Sequence, residues 1–275
     1  MKKLLLLFLL AFLAVPIASA EESVVTLTTT LDEGASIKLY TWADSMDDAF
    51  TIDWGDGVEK IYNKVKPSWT YGSEITGKLG ASKTITIKGD ITYLEIKEMQ
   101  ISAATFANTK LKEVDMEKNQ LTDFNLSGLP EVTKLSLNEN SIVTFSSTGN
   151  SVLKNLGLKS NKIDSHQFEI SSLANSLEQL NVSENGENFV ALNLINFDKL
   201  QYFTANDNPE LTTVVFYDGS TNLKQISMNN CHIMHFYAIS LPNLSSLNLS
   251  NNALLDFENG TYPNLSTLSV NGNYL

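Results

Sequence analysis

The chain has 275 residues, with 31 acidic against 19 basic side chains and a formal charge of −12. Every basic residue is Lys. That balance excludes a nucleic-acid binder, which needs a basic footprint, and a protein that grips anionic lipid by charge. Cys231 is the one cysteine, so no internal disulfide framework exists and stability has to come from a packed core. The negative field favours basic partners or simple solubility.

Residues 1–20 read as a signal peptide: Lys2 and Lys3, the apolar run Leu4 to Val15, then the small residues Ala18-Ser19-Ala20. The run is too short to cross a bilayer. No Cys follows the cleavage site to carry a lipid, and no later stretch is apolar enough for a membrane span. The expectation is an exported protein, secreted or at the cell surface or periplasm, without membrane insertion. Losing Lys2 and Lys3 takes the charge from −12 to −14.

Residues 21–90 do not repeat. Short alternating runs (Val25, Leu27; Ile37, Leu39; Phe50, Ile52, Trp54; Ile61; Ile85, Ile87) are separated by turn signals such as Glu33-Gly34 and Gly55-Asp56-Gly57. They predict a small antiparallel β-sandwich. The segment Thr51-Ile52-Asp53-Trp54-Gly55-Asp56-Gly57 is similar to the W-G-D-G signature of PKD-like, immunoglobulin-like extracellular domains. That resemblance is one motif long and implies a capping domain, with Thr84 to Ile96 running continuously into the next sheet. Asp44, Asp47, Asp48, Asp53 and Asp56 cluster here. Turn chemistry and solvated loops are the expected use, and a calcium site is the alternative, although no D-x-D-x-D-G spacing exists.

From residue 91 to 275 one pattern, L-x-x-L-x-L-x-x-N-x-L, recurs about nine times. Its ninth position falls at 99, 119, 140, 161, 185, 208, 231, 252 and 273, in steps of 20 to 24 residues. A period in that range signals a solenoid. The x-L-x-L-x core alternates with period two, so it predicts a short strand with Leu inward. Stacked copies predict a parallel sheet.

The pattern resembles the leucine-rich repeat. What the resemblance implies is a mainly β solenoid, a right-handed superhelix with a parallel sheet on the concave face and an extended or 3₁₀ convex side, serving recognition rather than catalysis. Asn119, Asn140, Asn161, Asn185, Asn208, Cys231, Asn252 and Asn273 then form a buried ladder whose amides bond neighbouring backbone. Cys231 takes an Asn place and is expected buried and inert.

On the return path Phe124, Leu126, Leu129 and Pro130, repeated as Phe236, Ala238, Leu241 and Pro242, with Phe145, Phe189 and Phe257, are expected to fill the second wall of the core. About ten residues per return are too few for long helices. The last copy stops at Asn271 to Leu275, so self-association through an uncapped C-terminal coil is an expectation.

The register names the exposed strand residues. The first coils are charged: Tyr93, Glu95, Lys97, Glu113, Asp115 and Glu117, with Lys97 beside Glu117 and Lys134 beside Glu113. Later coils form a stripe of small polar side chains: Ser136, Asn138, Asn181, Ser183, Thr204, Asn206, Ser227, Asn229, Asn248 and Ser250. Tyr202 interrupts the stripe.

The expected function is a non-enzymatic recognition module for an extracellular protein or glycan, and the acidic field favours a basic one. Polar residues that merely solvate an open face are the bland alternative. A structural component of the cell surface is the second reading, and a carbohydrate-active β-solenoid enzyme using Glu113, Asp115 and Glu117 the third. No cofactor is implied. His166, His232 and His235 offer no complete zinc set.

Overall fold

The computed structural model describes residues 22–45, 47–63, 74–216, 221–236, 240–257 and 260–275. The expected signal peptide and Ala238 lie outside the described residues.

Among the described residues, eight strands build the N-terminal end: β1 (Val24–Thr29), β2 (Ser36–Ala43), β3 (Phe50–Asp53), β4 (Glu59–Tyr62), β5 (Glu74–Lys78), β6 (Thr84–Lys88), β7 (Ile91–Glu95) and β8 (Ile101–Ala107). One antiparallel sheet runs β4-β3-β6-β1-β8, and β5-β2-β7 face it. Alternation does the work. In β1, Val25 and Leu27 point inward, and in β2, Ile37 and Leu39 meet them. Trp54 is fully buried and donates from Nε1 to the Tyr62 hydroxyl at 3.3 Å. A Cβ on Gly77 would collide with the Trp54 ring, so the missing side chain makes room for the indole. Ile61, expected inside, is 74% exposed. Here β4 is an edge strand, paired with β3 alone, and it turns Tyr62 rather than Ile61 toward Phe50, with ring centroids 5.9 Å apart.

The continuous run expected from Thr84 to Ile96 is broken. Here β6 belongs to the first sheet and β7 to the second, and the chain crosses at Gly89, φ +117°. Gly tolerates that backbone where other residues are strained. Next, β7 pairs antiparallel with β2 on one side and parallel with Glu113–Asp115 on the other. No break in hydrogen bonding therefore separates residues 90 and 91, and β8, from the first repeat copy, returns to pair with β1.

Beyond β7 the concave sheet continues through Glu113–Asp115, Lys134–Ser136, Asn155–Gly157, Gln179–Asn181, Tyr202–Thr204, Gln225–Ser227, Ser246–Asn248 and Thr267–Ser269, giving eleven strands with β2 and β5. Each copy of the repeat supplies one strand to this sheet, and the molecule is a β-solenoid whose coils follow the sequence repeat.

The ladder is formed. Asn161 donates from Nδ2 to Leu137 O and Leu158 O at 3.0 and 3.1 Å, and its Oδ1 accepts Ile142 N at 2.9 Å. Asn119, Asn140, Asn185, Asn208, Asn252 and Asn273 make equivalent bonds across coils. Cys231 departs from expectation by being half-buried. Its shorter side chain reaches Ala205 O at 3.1 Å but Asn229 O only at 3.6 Å. Burial still pushes its thiol up to about 11.

The residue before each ladder position turns left-handed: Glu98, Lys118, Glu139, Ser160, Glu184, Asp207, Asn230 and Asn251 have φ between 55° and 58°, and Gly272 has 71°. That bend aims the ladder side chain inward.

On the convex side, Phe145, Phe168 and Phe189 follow one another with centroids 5.8 and 6.1 Å apart, tilted and edge-on, and Phe216, Phe236 and Phe257 form a second row that Phe203 meets from the concave strand. Two small parallel sheets lie there, Asp123–Asn125, Thr144–Ser146, Phe168–Glu169 and, separately, Ala191–Asn193 with Thr213–Val215. They fail to join where the repeat is longest, 24 residues from 161 to 185. Two 3₁₀ turns, Ser165–Gln167 and Ser171–Leu173, absorb the extra length there. Among the described residues no helix is long and apolar enough to cross a membrane.

Candidate binding surface on the concave sheet

Positions three, five and seven of each copy point out of the concave sheet because the Leu at four and six points in. The structure places all the expected concave residues on this one face, but it divides them by what they are already bonded to.

The N-terminal end is a compact ion cluster. Lys97 Nζ lies 2.6 Å from Asp115, 3.7 Å from Glu117 and 3.8 Å from Glu95. Glu117 is beside Lys97 as expected, but the nearest carboxylate is Asp115. Glu117 also accepts Ser136 Oγ at 2.5 Å and Asn138 Nδ2 at 2.7 Å. Burial raises the Asp115 carboxyl despite the Lys97 ammonium. Burial also works against Glu117, but the bonds from Ser136 and Asn138, with Lys97, outweigh it and hold that carboxyl low. Glu113 stands aside, 3.8 Å from Lys134. At the acidic end four carboxylates, Glu95, Glu113, Asp115 and Glu117, thus share two ammonium groups, Lys97 and Lys134, so the charge is only partly compensated.

Tyr93 is no free platform either. Its hydroxyl donates to Glu95 at 2.5 Å, and burial followed by that carboxylate pushes its ionisation up. Its ring stacks on Trp42 with centroids 3.8 Å apart and planes at 4°. Trp42, on β2, was missed from the sequence because its strand lies outside the repeat. The shared sheet carries it onto the same face, directly opposite Tyr93.

The polar stripe is mostly scaffold. Asn138 Oδ1 accepts Lys159 N at 2.9 Å, Ser183 Oγ accepts Asn206 N at 3.0 Å, and Asn206 Oδ1 accepts Asn229 N at 3.1 Å. Position seven thus satisfies the backbone of the next coil. Position five does so locally, with Asn181 Oδ1 accepting Ser183 N and Asn248 Oδ1 accepting Ser250 N, both at 3.1 Å. Ser183 and Ser250, expected exposed, are buried for this reason. Ser227 Oγ donates to Asn206 Oδ1 at 2.7 Å.

One region differs. A depression of about 310 Å³ is lined by Lys134, Ser136, Asn155, Gly157, Gln179, Asn181, Tyr202 and Thr204. Gly157 makes the floor low. A Cβ there would stand 2.9 Å from Asn138 Oδ1, so the bond from Asn138 to the next coil keeps the position small. Among the described residues, the side chains of Asn155, Gln179 and Thr204 and the Tyr202 hydroxyl make no hydrogen bond. Tyr202 is 36% exposed. Lys224, from the coil beyond, sits 5.9 Å from its ring centroid and braces it from the side away from the depression. Asn155 and Gln179 occupy position three, which alternation also assigns to the open face. Extending the period-two reading by one residue would have found them.

A larger cleft, about 630 Å³, opens on the convex side where the two small sheets part. Phe168, Ile170, Leu192, Ile195, Phe197 and Val215 give it an apolar wall. Ser165 Oγ, accepting Val190 N and Ala191 N at 2.9 and 3.0 Å, closes one end.

The clustered aspartates are turn residues. Asp53 Oδ1 accepts Gly55 N and Gly57 N at 2.8 and 3.0 Å, and Asp56 Oδ1 accepts Val58 N at 3.1 Å. Asp44 bonds Thr92 and Lys112. Among the described residues no three His, Cys, Asp or Glu side chains are grouped as a metal site requires.

No protein-family model and no curated protein matches the chain. Solved structures do. The leucine-rich repeat domain of LRIM1 matches with a TM-score of 0.43 and 19% identity, over 60% of this chain and 60% of that one. The functional domain of InlJ from Listeria monocytogenes, which includes a cysteine ladder, matches with a TM-score of 0.31 and 19% identity, over 55% of this chain and 42% of that one. The chain thus spans less than two thirds of either.

Chemically, the most buried acid of the ion cluster, Asp115, is engaged. Asp115 is paired to Lys97 at 2.6 Å, and a general acid has to reach a substrate oxygen rather than a fixed ammonium. The depression offers amides, hydroxyls and one aromatic face, which is binding chemistry.

Proposed function

We propose that the chain is a non-catalytic recognition module that uses its concave sheet to bind an extracellular protein or glycan, in a secreted or surface-associated setting. One observation carries the reading. The unengaged polar side chains Asn155, Gln179 and Thr204 and the exposed ring of Tyr202 meet around a depression in the middle of a broad, rigid sheet. A ligand site needs a few convergent polar groups in a concavity, and Tyr is among the residues that most often anchor interfaces. Rigidity favours binding because little ordering entropy remains to be lost.

The experiment is a screen of residues 21–275, immobilised, against extracellular proteins and a glycan panel, with two variants in parallel. Asp115→Lys/Glu117→Lys alters the ion cluster, and Tyr202→Ala alters the depression. Binding lost in Tyr202→Ala and kept in the charge variant supports the reading. Binding lost only in the charge variant moves the site to the N-terminal coils, and hydrolysis of a glycan abolished by Asp115→Asn would overturn the non-catalytic assignment.

A further inference from the structure

We infer that the depression around Gly157 is a subsite for one neutral saccharide ring, stacked on Tyr202 and held by Gln179, Asn155, Asn181 and Thr204. The inference rests on the concave-face recognition proposed above and names the ligand class for it.

The residue types decide the class. A sugar ring presents an aliphatic C–H face and a rim of hydroxyls, each both donor and acceptor. The Tyr202 ring supplies an apolar face with a polar tip. The amides of Asn155 and Gln179 each carry two donors and an acceptor, and Thr204 adds a hydroxyl. Asn181 spends Oδ1 on Ser183 N and keeps its Nδ2 for a ligand. These groups are neutral and match hydroxyls in both senses. No carboxylate lines the depression, and Glu117 on the adjoining coil is engaged by Lys97, Ser136 and Asn138, so the site holds no unengaged acid to select a strongly basic ligand. Lys134, the one charged residue lining it, is already 3.8 Å from Glu113.

The geometry argues against a peptide. An extended peptide binds a sheet by backbone pairing at an edge, and the strands here, Lys134–Ser136 to Tyr202–Thr204, are each paired on both sides. An apolar side chain needs an apolar socket, but Leu135, Leu156 and Leu180 under the floor are only 1 to 3% exposed. A depression of about 310 Å³ also stands at the small end of ligand sites, fitting one ring of a longer chain.

Gly157 sets the fit. A side chain there would fill the floor and press on Asn138 Oδ1, so Gly157→Ser removes the site while leaving Tyr202 in place.

The test titrates the full chain with neutral oligosaccharides of glucose, xylose, mannose and galactose by calorimetry and by ligand-observed NMR. Tyr202→Ala/Gln179→Ala and Gly157→Ser are compared with the distant Thr267→Ala, and far-UV circular dichroism checks the fold of each. One class is expected to bind saturably, with saturation-transfer signals strongest on ring C–H protons. The double variant and Gly157→Ser each weaken it by more than tenfold and Thr267→Ala leaves it unchanged. Absence of binding by every saccharide at millimolar concentration overturns the inference, as does binding that survives the double variant. A peptide that binds instead, and is lost in Tyr202→Ala, overturns the sugar assignment but leaves concave-face recognition standing. If neither sugar nor peptide depends on Tyr202, both fail.

Discussion

Replacing Asn161 by Ala removes the centre of the ladder, and the structure sets the magnitude. Nδ2 donates to Leu137 O, Leu158 O and Lys159 O at 3.0, 3.1 and 3.2 Å, and Oδ1 accepts Ile142 N at 2.9 Å. The residue is 6% exposed, so water cannot replace what is lost. A buried donor or acceptor left unsatisfied costs about 1–3 kcal/mol. Ile142 N and Leu137 O on the preceding coil, with Leu158 O within the same coil, are the groups at risk, and partial relaxation leaves an expected loss of about 3–5 kcal/mol. In a chain of this size about 1 kcal/mol moves Tm by about 2–4 °C, so a drop of about 6–20 °C follows. Asn273→Ala is the internal control. That residue makes three equivalent bonds, to Leu249 O, Val270 O and Leu254 N, but it is only half-buried, and its loss is expected below about 1.5 kcal/mol because water can reach the freed groups. Asn161→Cys should fall between Asn161→Ala and the native chain, as Cys231 shows that a thiol keeps one inter-coil bond. Urea unfolding followed by circular dichroism measures all three. Equal losses for Asn161→Ala and Asn273→Ala, or a loss below 1 kcal/mol for Asn161→Ala, would refute burial of the ladder as the source of its stability.

Gly128→Ala is expected to destabilise by about 2 kcal/mol or more through overpacking, because its Cβ would collide with Phe106 O. Urea midpoints check it, and an unchanged midpoint contradicts the close approach of coil and cap. Glu139→Gly is expected to be neutral or stabilising by up to about 1 kcal/mol, since φ is 55° there and a left-handed backbone strains any residue with a Cβ; a clear loss would show that its side chain matters. Cys231, with its thiol pushed up to about 11, should react slowly with iodoacetamide at pH 8 and about tenfold faster per pH unit up to that value, because the thiolate is the nucleophile. Labelling at pH 8 as fast as in urea would contradict its placement. Lys97→Gln should lower stability at neutral pH and much less at pH 3. Glu117, held low, contributes stability above its unfolded value that is lost as pH falls through its folded one, and that contribution depends in part on Lys97. A variant whose deficit is the same at both pH values would remove Lys97 from the network.

The repeat was legible because its spacing is chemical necessity. Leu at four and six must alternate inward, and the ninth position must satisfy carbonyls that the bend exposes. That logic placed the strands, the ladder and the phenylalanine wall. It did not reveal the left-handed residue at position eight, since Glu, Lys, Ser and Asp carry that φ where Gly would have announced it. The crossing at Gly89 and the return of β8 to the cap stayed hidden for a different reason. Strand pairing between segments far apart in the chain, such as Thr29 with Ile101 and Val24 with Ala107, leaves no local periodic trace.

The concave face was legible in position but not in meaning. Ser183, Asn206 and Asn248 look like free polar side chains in the sequence, and the structure shows each completing the backbone of a coil. A parallel sheet of very short strands bends sharply at every coil. Each bend frees an N–H that a side chain at position five or seven must accept. Much of the Asn and Ser content of the stripe follows from that demand, whatever the protein binds. Side chains left over for a ligand therefore stand out as exceptions to the repeat: the position-three amides, the glycine where a polar side chain is usual, and the half-exposed tyrosine. In this chain those exceptions lie on adjacent strands, from Asn155 to Thr204, so the proposed site centres on Gly157 and Tyr202 rather than on the longer, more regular stripe.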